Sequence, residues 1–129
     1  MKTRAAAQPS SSPARHLLRA RDLIDARYSE PLDVAALARS AHASQAHFSR
    51  GFKRAFGETP HQYLLTRRME RAKHLLRETS MSVTEVSLEV GFQSLGSFSA
   101  SFKRIVGTTP RDFRRRMPPA GIPTCYLMA

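Results

Sequence analysis

The stretch that decides the fold reads FSRGFKRAFGETP at residues 48–60, and it recurs as FSASFKRIVGTTP at residues 98–110. The two copies are offset by 50 residues. Each copy is too short to bury a hydrophobic core by itself. The repeat therefore predicts two related units that pack side by side.

Both copies end with residues that close one helix and open the next. Gly57 and Gly107 can adopt the left-handed conformation that terminates a helix. Thr59 and Thr109 are favourable N-caps, and the proline after each suits the first helical position. Gln62, three residues after Thr59, can complete a capping box.

A shorter helix is predicted before each repeat helix. Asp33 caps the first, over residues 34–41, and Ser82 caps the second, over residues 83–90. Glu85 completes an S-x-x-E capping box with Ser82.

The turns that follow these short helices differ in length. Asp33 and Ser82 are separated by one residue fewer than the two copies of the repeat. The turn of the second unit therefore carries an extra residue, around Gln93. Ser44 and Ser94 follow as N-caps of the repeat helices. A short helix, a tight turn and a longer helix form the helix-turn-helix pattern.

Three further helices complete an all-α fold class. Residues 14–28 have apolar side chains at helical spacing and should pack on the first unit. Pro60–Glu78 is predicted as one long helix, about 28 Å at 1.5 Å per residue, that joins the two units. Pro110–Arg116 forms a short final helix, and no segment shows the alternation of a strand.

These elements divide the chain into five segments. They are a disordered leader at 1–13, a first helix-turn-helix unit at 14–58, a linker helix at 59–79, a second unit at 80–117 and a Pro-rich tail at 118–129.

The composition favours a polyanionic partner. The 129 residues carry a net charge of +11, which suits DNA, RNA or an acidic membrane surface. The single cysteine, Cys125, excludes an internal disulfide and a cysteine-built zinc site, and it fits a reducing cytoplasm. No apolar run approaches the roughly 20 residues that span a bilayer. We expect a cytoplasmic, nucleoid-associated protein with no cofactor, no metal and no membrane partner.

The helical period separates a core face from a base-reading face on each repeat helix. Phe48, Phe52 and Phe56 point inward on the first helix, as do Phe98, Phe102 and Val106 on the second. The predicted base-reading residues lie on the other faces: Gln45, Ala46, Ser49 and Arg50, then Leu95, Gly96, Ser97, Ser99 and Ala100. Arg50 is the best single reader, because arginine can donate two hydrogen bonds to guanine.

Other cations are assigned to the DNA backbone or to solvent. The predicted phosphate contacts are Lys53, Arg54, Arg67, Lys103, Arg104 and Arg111. Arg68 and Arg71 on the long helix have the same two interpretations. The run at residues 114–116 is typical of a solvated face that adds electrostatic affinity.

Residues 28–116 resemble the DNA-binding domain of the AraC/XylS family. The motif that carries the resemblance is VGFQS at 90–94, then Phe98-Ser99, Phe102-Lys103-Arg104, Gly107, Thr109-Pro110 and Phe113-Arg114. The first unit matches through ARSA at 38–41, Phe48-Ser49-Arg50 and Phe52-Lys53-Arg54.

The resemblance implies seven helices and a transcription regulator that uses no cofactor and binds double-stranded DNA. It further implies a monomer that contacts two successive major-groove segments, an activator role, and RNA polymerase as a second candidate partner. The length of the chain is similar to that of the short stand-alone members, which are controlled by abundance or by partner proteins.

The sequence departs from the family pattern at two positions. Ala100 stands where the family commonly has arginine, and His42 stands where the second unit has Gly91. A methyl group donates no hydrogen bond, so we expect the second unit to act through phosphates, thymine methyls or DNA shape. Ser97, Ser99 and Leu95 offer a competing route to base reading there.

Three other functions fit the sequence less well. An enzyme is disfavoured, because none of the five histidines has H-E-x-x-H spacing and no phosphate loop or nucleophile elbow is present. A non-specific nucleic-acid-binding module would need exposed aromatic side chains for stacking. The DNA-binding part of an alkylation-repair system would need an activated cysteine, which the surroundings of Cys125 do not suggest.

Overall fold

A computed structural model describes residues 13–116, which form seven helices and no strand. The helices are α1 (Pro13–Arg27), α2 (Val34–Ser40), α3 (Gln45–Phe56), α4 (Pro60–Glu78), α5 (Val83–Glu89), α6 (Leu95–Val106) and α7 (Pro110–Arg116). The all-α prediction is confirmed. The expectations for the leader before residue 13 and for the tail with Cys125 lie outside the described residues.

The predicted caps form at the helix ends. The Ser44 and Ser94 hydroxyls each accept a hydrogen bond of 3.1 Å, from the amides of His47 and Ser97. Gly57 and Gly107 close α3 and α6 in the left-handed conformation, with φ of 87° and 99°. Elsewhere, the Asp33 carboxylate accepts from an amide of α2, and reciprocal capping boxes join Thr59 to Gln62 and Ser82 to Glu85. These local signals set the helix ends.

Four helix bounds differ from the sequence prediction by one residue, since α1 also ends at Arg27 and not at the predicted residue 28. Proline suits a first helical position, so α1 begins at Pro13 and shortens the expected leader. Ala41 and Val90 follow α2 and α5 as C-caps with φ of −92°. Their amides still donate to carbonyls of the helix, while their own backbone already leaves the helical conformation.

The turns confirm the extra residue of the second unit. His42 and Gly91 both have positive φ, 57° and 98°. The next amides donate equivalent hydrogen bonds, from Ala43 to Ala38 and from Phe92 to Ser87. Gln93 is then inserted before Ser94, without a counterpart in the first unit.

The described residues divide into two compact units within α4, between Leu64 and Leu65. The first core contains Ala20, Ile24, Leu37, Ala38, Phe48, Phe52 and Leu64. The second contains Met69, Ala72, Leu75, Leu76, Val86, Val90, Phe92, Phe98, Phe102 and Phe113. Edge-to-face ring pairs recur in both, at 5.7 Å between Phe52 and Tyr63 and at 5.6 Å between Phe102 and Phe113. Each repeat helix is thus fixed by aromatic contacts to the helix that follows it.

Candidate nucleic-acid interface

The exposed face of α3 carries the predicted base-reading residues of the first unit. Phe48 and Phe52 are 2% and 0% exposed, which confirms the inward stripe, and Phe56 is half-buried against the same core. The residues proposed to read bases are exposed, apart from half-buried Ser49: Gln45, Ala46, Ser49 and Arg50. One face of α3 is therefore apolar and buried, and the opposite face is polar and exposed.

The exposed face of α6 repeats this arrangement with different side chains. Phe98 and Phe102 are fully buried, and Val106 is half-buried against the second core. The outward residues are Leu95, Gly96, Ser97, Ser99 and Ala100, of which only Ser99 is half-buried. Ser49 and Ser99 therefore share both their place in the repeat and their partial burial.

One exposed residue of α3 was not predicted to read bases. His47 occupies the position of Ser97 in the repeat and is exposed, although only Ser97 was predicted to read bases. Alignment of the two copies is the signal that identifies it. An imidazole at this position adds a hydrogen-bonding group to the face that contains Arg50.

The ends of α3 and α6 favour contact with anions. The first turn of each helix has no acidic side chain, so the positive end of the helix dipole is not neutralised there. Lys53 and Arg54 end α3, and Lys103 and Arg104 end α6, and all four side chains are exposed. They stabilise the helix C-termini and remain available to phosphate groups.

The two other predicted phosphate contacts differ in accessibility. Arg111 is exposed in the first turn of α7. Arg67 is half-buried on α4, and its guanidinium pairs with Glu70 on the same helix. A phosphate would have to compete with that carboxylate, so Arg67 is the less available of the two.

The arginine run at 114–116 is not the uniform solvated face that was expected. The Arg114 Nε donates to the Leu76 carbonyl at 2.9 Å, and its Nη2 donates to the Met81 carbonyl at 2.6 Å. Arg115 and Arg116 are exposed. Arg114 therefore belongs to the structure of the second unit, because the last carbonyls of α4 lack partners within the helix.

Arg68 also has a packing role that its sequence context did not indicate. Its guanidinium lies over the Phe92 ring, 5.6 Å from the centroid. Burial lowers the pKa of Arg68 from its usual value, because the charged form loses hydration. Arg71, three residues on, is exposed.

Two further classes of site are absent from residues 13–116. No group of three or more His, Cys, Asp or Glu side chains there is placed to hold a metal ion. None of the seven helices is long and apolar enough to cross a bilayer.

Comparison with known proteins identifies the family. The profile of a helix-turn-helix domain family matches residues 37–116. A transcriptional regulator structure from Chromobacterium violaceum, described as having an AraC-type DNA-binding domain, is 33% identical with a TM-score of 0.69. The match covers 80% of this chain and 92% of that one. This chain belongs to the AraC-type family of DNA-binding domains.

Two relatives place this AraC-type domain in context. The DNA-binding domain of AdpA, a global transcriptional factor solved in complex with a target DNA, is 32% identical with a TM-score of 0.71. That match covers 77% of this chain and 89% of the other. The transcriptional regulator ArgR of Pseudomonas aeruginosa is 34% identical over 94 residues, which are 73% of this chain. The chain spans only 29% of the length of ArgR.

Proposed function

We propose that this chain is a sequence-specific regulator of transcription that binds double-stranded DNA through α3 and α6. In this proposal a monomer contacts two successive major-groove segments, engages RNA polymerase as an activator, and works on the nucleoid in the cytoplasm without catalysis. The observation that carries the proposal is the repeated face of α3 and α6, where polar and small side chains are exposed opposite a buried aromatic stripe. A helix with such a face can enter a major groove without unfolding its core.

We assign the two units different shares of base reading. Arg50 offers a forked donor that matches the O6 and N7 acceptors of guanine, and Gln45 can pair with adenine. Ala100, at the position of Arg50 in the repeat, is exposed but donates nothing. We therefore assign to the second unit apolar contacts with bases and contacts with the DNA backbone, and its hydrogen-bonding groups are Ser97 and Ser99.

The aromatic side chains favour a duplex over single strands. Binding to single-stranded nucleic acid uses exposed rings on which bases stack. Phe48, Phe52, Phe98 and Phe102 are all buried, and they contact other rings within their own unit. They are unavailable for stacking in the folded protein.

The function is tested by selecting bound duplexes from a random library and measuring affinity as salt is raised. We expect one enriched motif, and a log–log salt slope of several units because phosphate contacts release counterions. No enrichment, or equal affinity for the enriched and shuffled duplexes, would contradict a sequence-specific regulator.

Lys103→Gln tests the phosphate assignment on the same duplexes. Affinity should fall by a similar factor for enriched and shuffled DNA, and the salt slope should fall by about one. Arg19→Gln is the matched control, since it removes one exposed charge from α1, outside the proposed interface. A change of base preference without loss of general affinity would mean that Lys103 does not contact phosphate.

A further inference from the structure

A cleft of about 730 Å³ lies in the first unit, between the start of α1, the α2–α3 turn and α3. Leu17, Ala43 and Gly51 line its apolar part, and His42, His47 and Arg54 bring polar groups to it. The cleft is thus walled by the helix that we propose to read DNA.

The repeat shows which group is missing from this cleft. In the second unit, Phe92 follows the positive-φ residue of the turn and is 8% exposed, with its ring 5.4 Å from that of Phe98. In the first unit the same place in the turn is taken by Ala43. Gly51 likewise replaces buried Ser101, and a Cβ atom added there would approach only Leu17, at 3.9 Å. The first unit therefore lacks a benzyl group that the second unit buries.

The charges around the cleft select the kind of molecule that could replace that ring. Among the described side chains that line it none is acidic, while three are histidines and one is Arg54. The His16 and His42 rings, which both line the cleft, lie 6.1 Å apart. An apolar wall with cationic and hydrogen-bond-donating groups complements an apolar anion.

We propose that this cleft binds a small aryl carboxylate. The aromatic ring takes the place that Phe92 fills in the second unit, and the carboxylate pairs with Arg54. Ring burial supplies the affinity, and the charge selects the acid over neutral aromatic molecules.

Occupation of the cleft should also weaken DNA binding, a consequence that rests on the proposed function. Arg54 ends α3 and is assigned to a phosphate. A carboxylate paired with Arg54 competes with that phosphate and adds a negative charge beside the DNA. Loss of one such contact should lower affinity roughly three- to tenfold.

The cleft is tested first without DNA, by amide chemical shifts of the full chain titrated with 3-phenylpropionate. We expect saturable shifts around Leu17, Ala43 and Gly51, and binding of the neutral amide 3-phenylpropionamide weakened roughly three- to tenfold. Absence of saturable shifts at millimolar acid, or equal binding of acid and amide, would overturn the proposal.

Two variants test where the ring and the carboxylate of the ligand bind, and a third variant is the control. Ala43→Phe restores the missing ring and should abolish binding. Arg54→Gln should weaken binding of the acid roughly three- to tenfold without affecting the amide, and it keeps the test decisive if Ala43→Phe does not fold. Arg104→Gln, at the same position of α6, is the control and should bind like the wild type. Undiminished acid binding by a folded Ala43→Phe protein or by Arg54→Gln would overturn the assignment.

The effect on DNA is measured on the selected duplex with and without the acid. The acid should weaken binding by the wild type and leave binding by Ala43→Phe unchanged. Shifts at the cleft without any effect on DNA affinity would overturn the coupling alone. If the protein selects no DNA sequence, the titration without DNA still decides whether the cleft binds the acid.

Discussion

Arg114 lies in a run of three arginines, yet its side chain makes hydrogen bonds within the fold. It donates to the carbonyls of Leu76 and Met81, at the end of α4 and in the loop that follows. A cation at this position also interacts favourably with the negative end of the helix dipole. Arg114→Ala should lower the free energy of unfolding by about 1–3 kcal/mol, because partly buried carbonyls lose a charged donor. Urea denaturation measures the change.

Arg115→Ala is the matched control for that substitution. Arg115 is exposed and pairs only across one helical turn with Asp112, at 2.8 Å. Such surface pairs contribute about 0–1 kcal/mol to the free energy of unfolding, so the midpoint of urea denaturation should change little. Equal losses in the two variants would show that the Arg114 hydrogen bonds do not stabilise the fold.

The helix starts could be predicted from sequence because the residues that determine them are close in sequence. Asp33, Ser44, Ser82 and Ser94 each cap a helix within three residues of their own position, so sequence spacing alone located the helix starts. Arg114 contacts a carbonyl 38 residues away, and no periodic pattern carries that information. The cleft was equally hidden, because it depends on Ala43 and Gly51 being smaller than their counterparts and not on a motif of their own.

Gly51 within α3 and Gly57 just after its last residue should respond oppositely to the same substitution. Gly51 lies within the helix with room for a Cβ atom, so Gly51→Ala should stabilise the protein by about 0.5–1 kcal/mol. Gly57 has φ of 87°, a conformation that costs an alanine roughly 1–2 kcal/mol, so Gly57→Ala should destabilise it. Thermal unfolding compares the two directly. Shifts of the same sign would contradict the helix end at Gly57.

At the scale of the whole molecule, a duplicated scaffold presents two different surfaces. The burial pattern along α3 and α6 agrees at every repeat position except Gly51 and Ser101. Several exposed residues nevertheless differ, among them Gln45 and Leu95, His47 and Ser97, and Arg50 and Ala100. Duplication therefore explains the shared architecture, and surface substitution explains how the two units can contribute unequally to base reading.

The central claim is that α3 contributes more of the hydrogen-bonded base reading than α6. The most direct measurement is the affinity of the wild type and of Arg50→Ala for the selected duplex with each base pair substituted in turn. We predict that Arg50→Ala costs about 1–3 kcal/mol on the selected duplex and removes the preference at one or two base pairs, with a smaller loss on shuffled DNA. Equal or greater sensitivity in the half-site that faces Leu95 to Ala100, with specificity unchanged in Arg50→Ala, would contradict the claim.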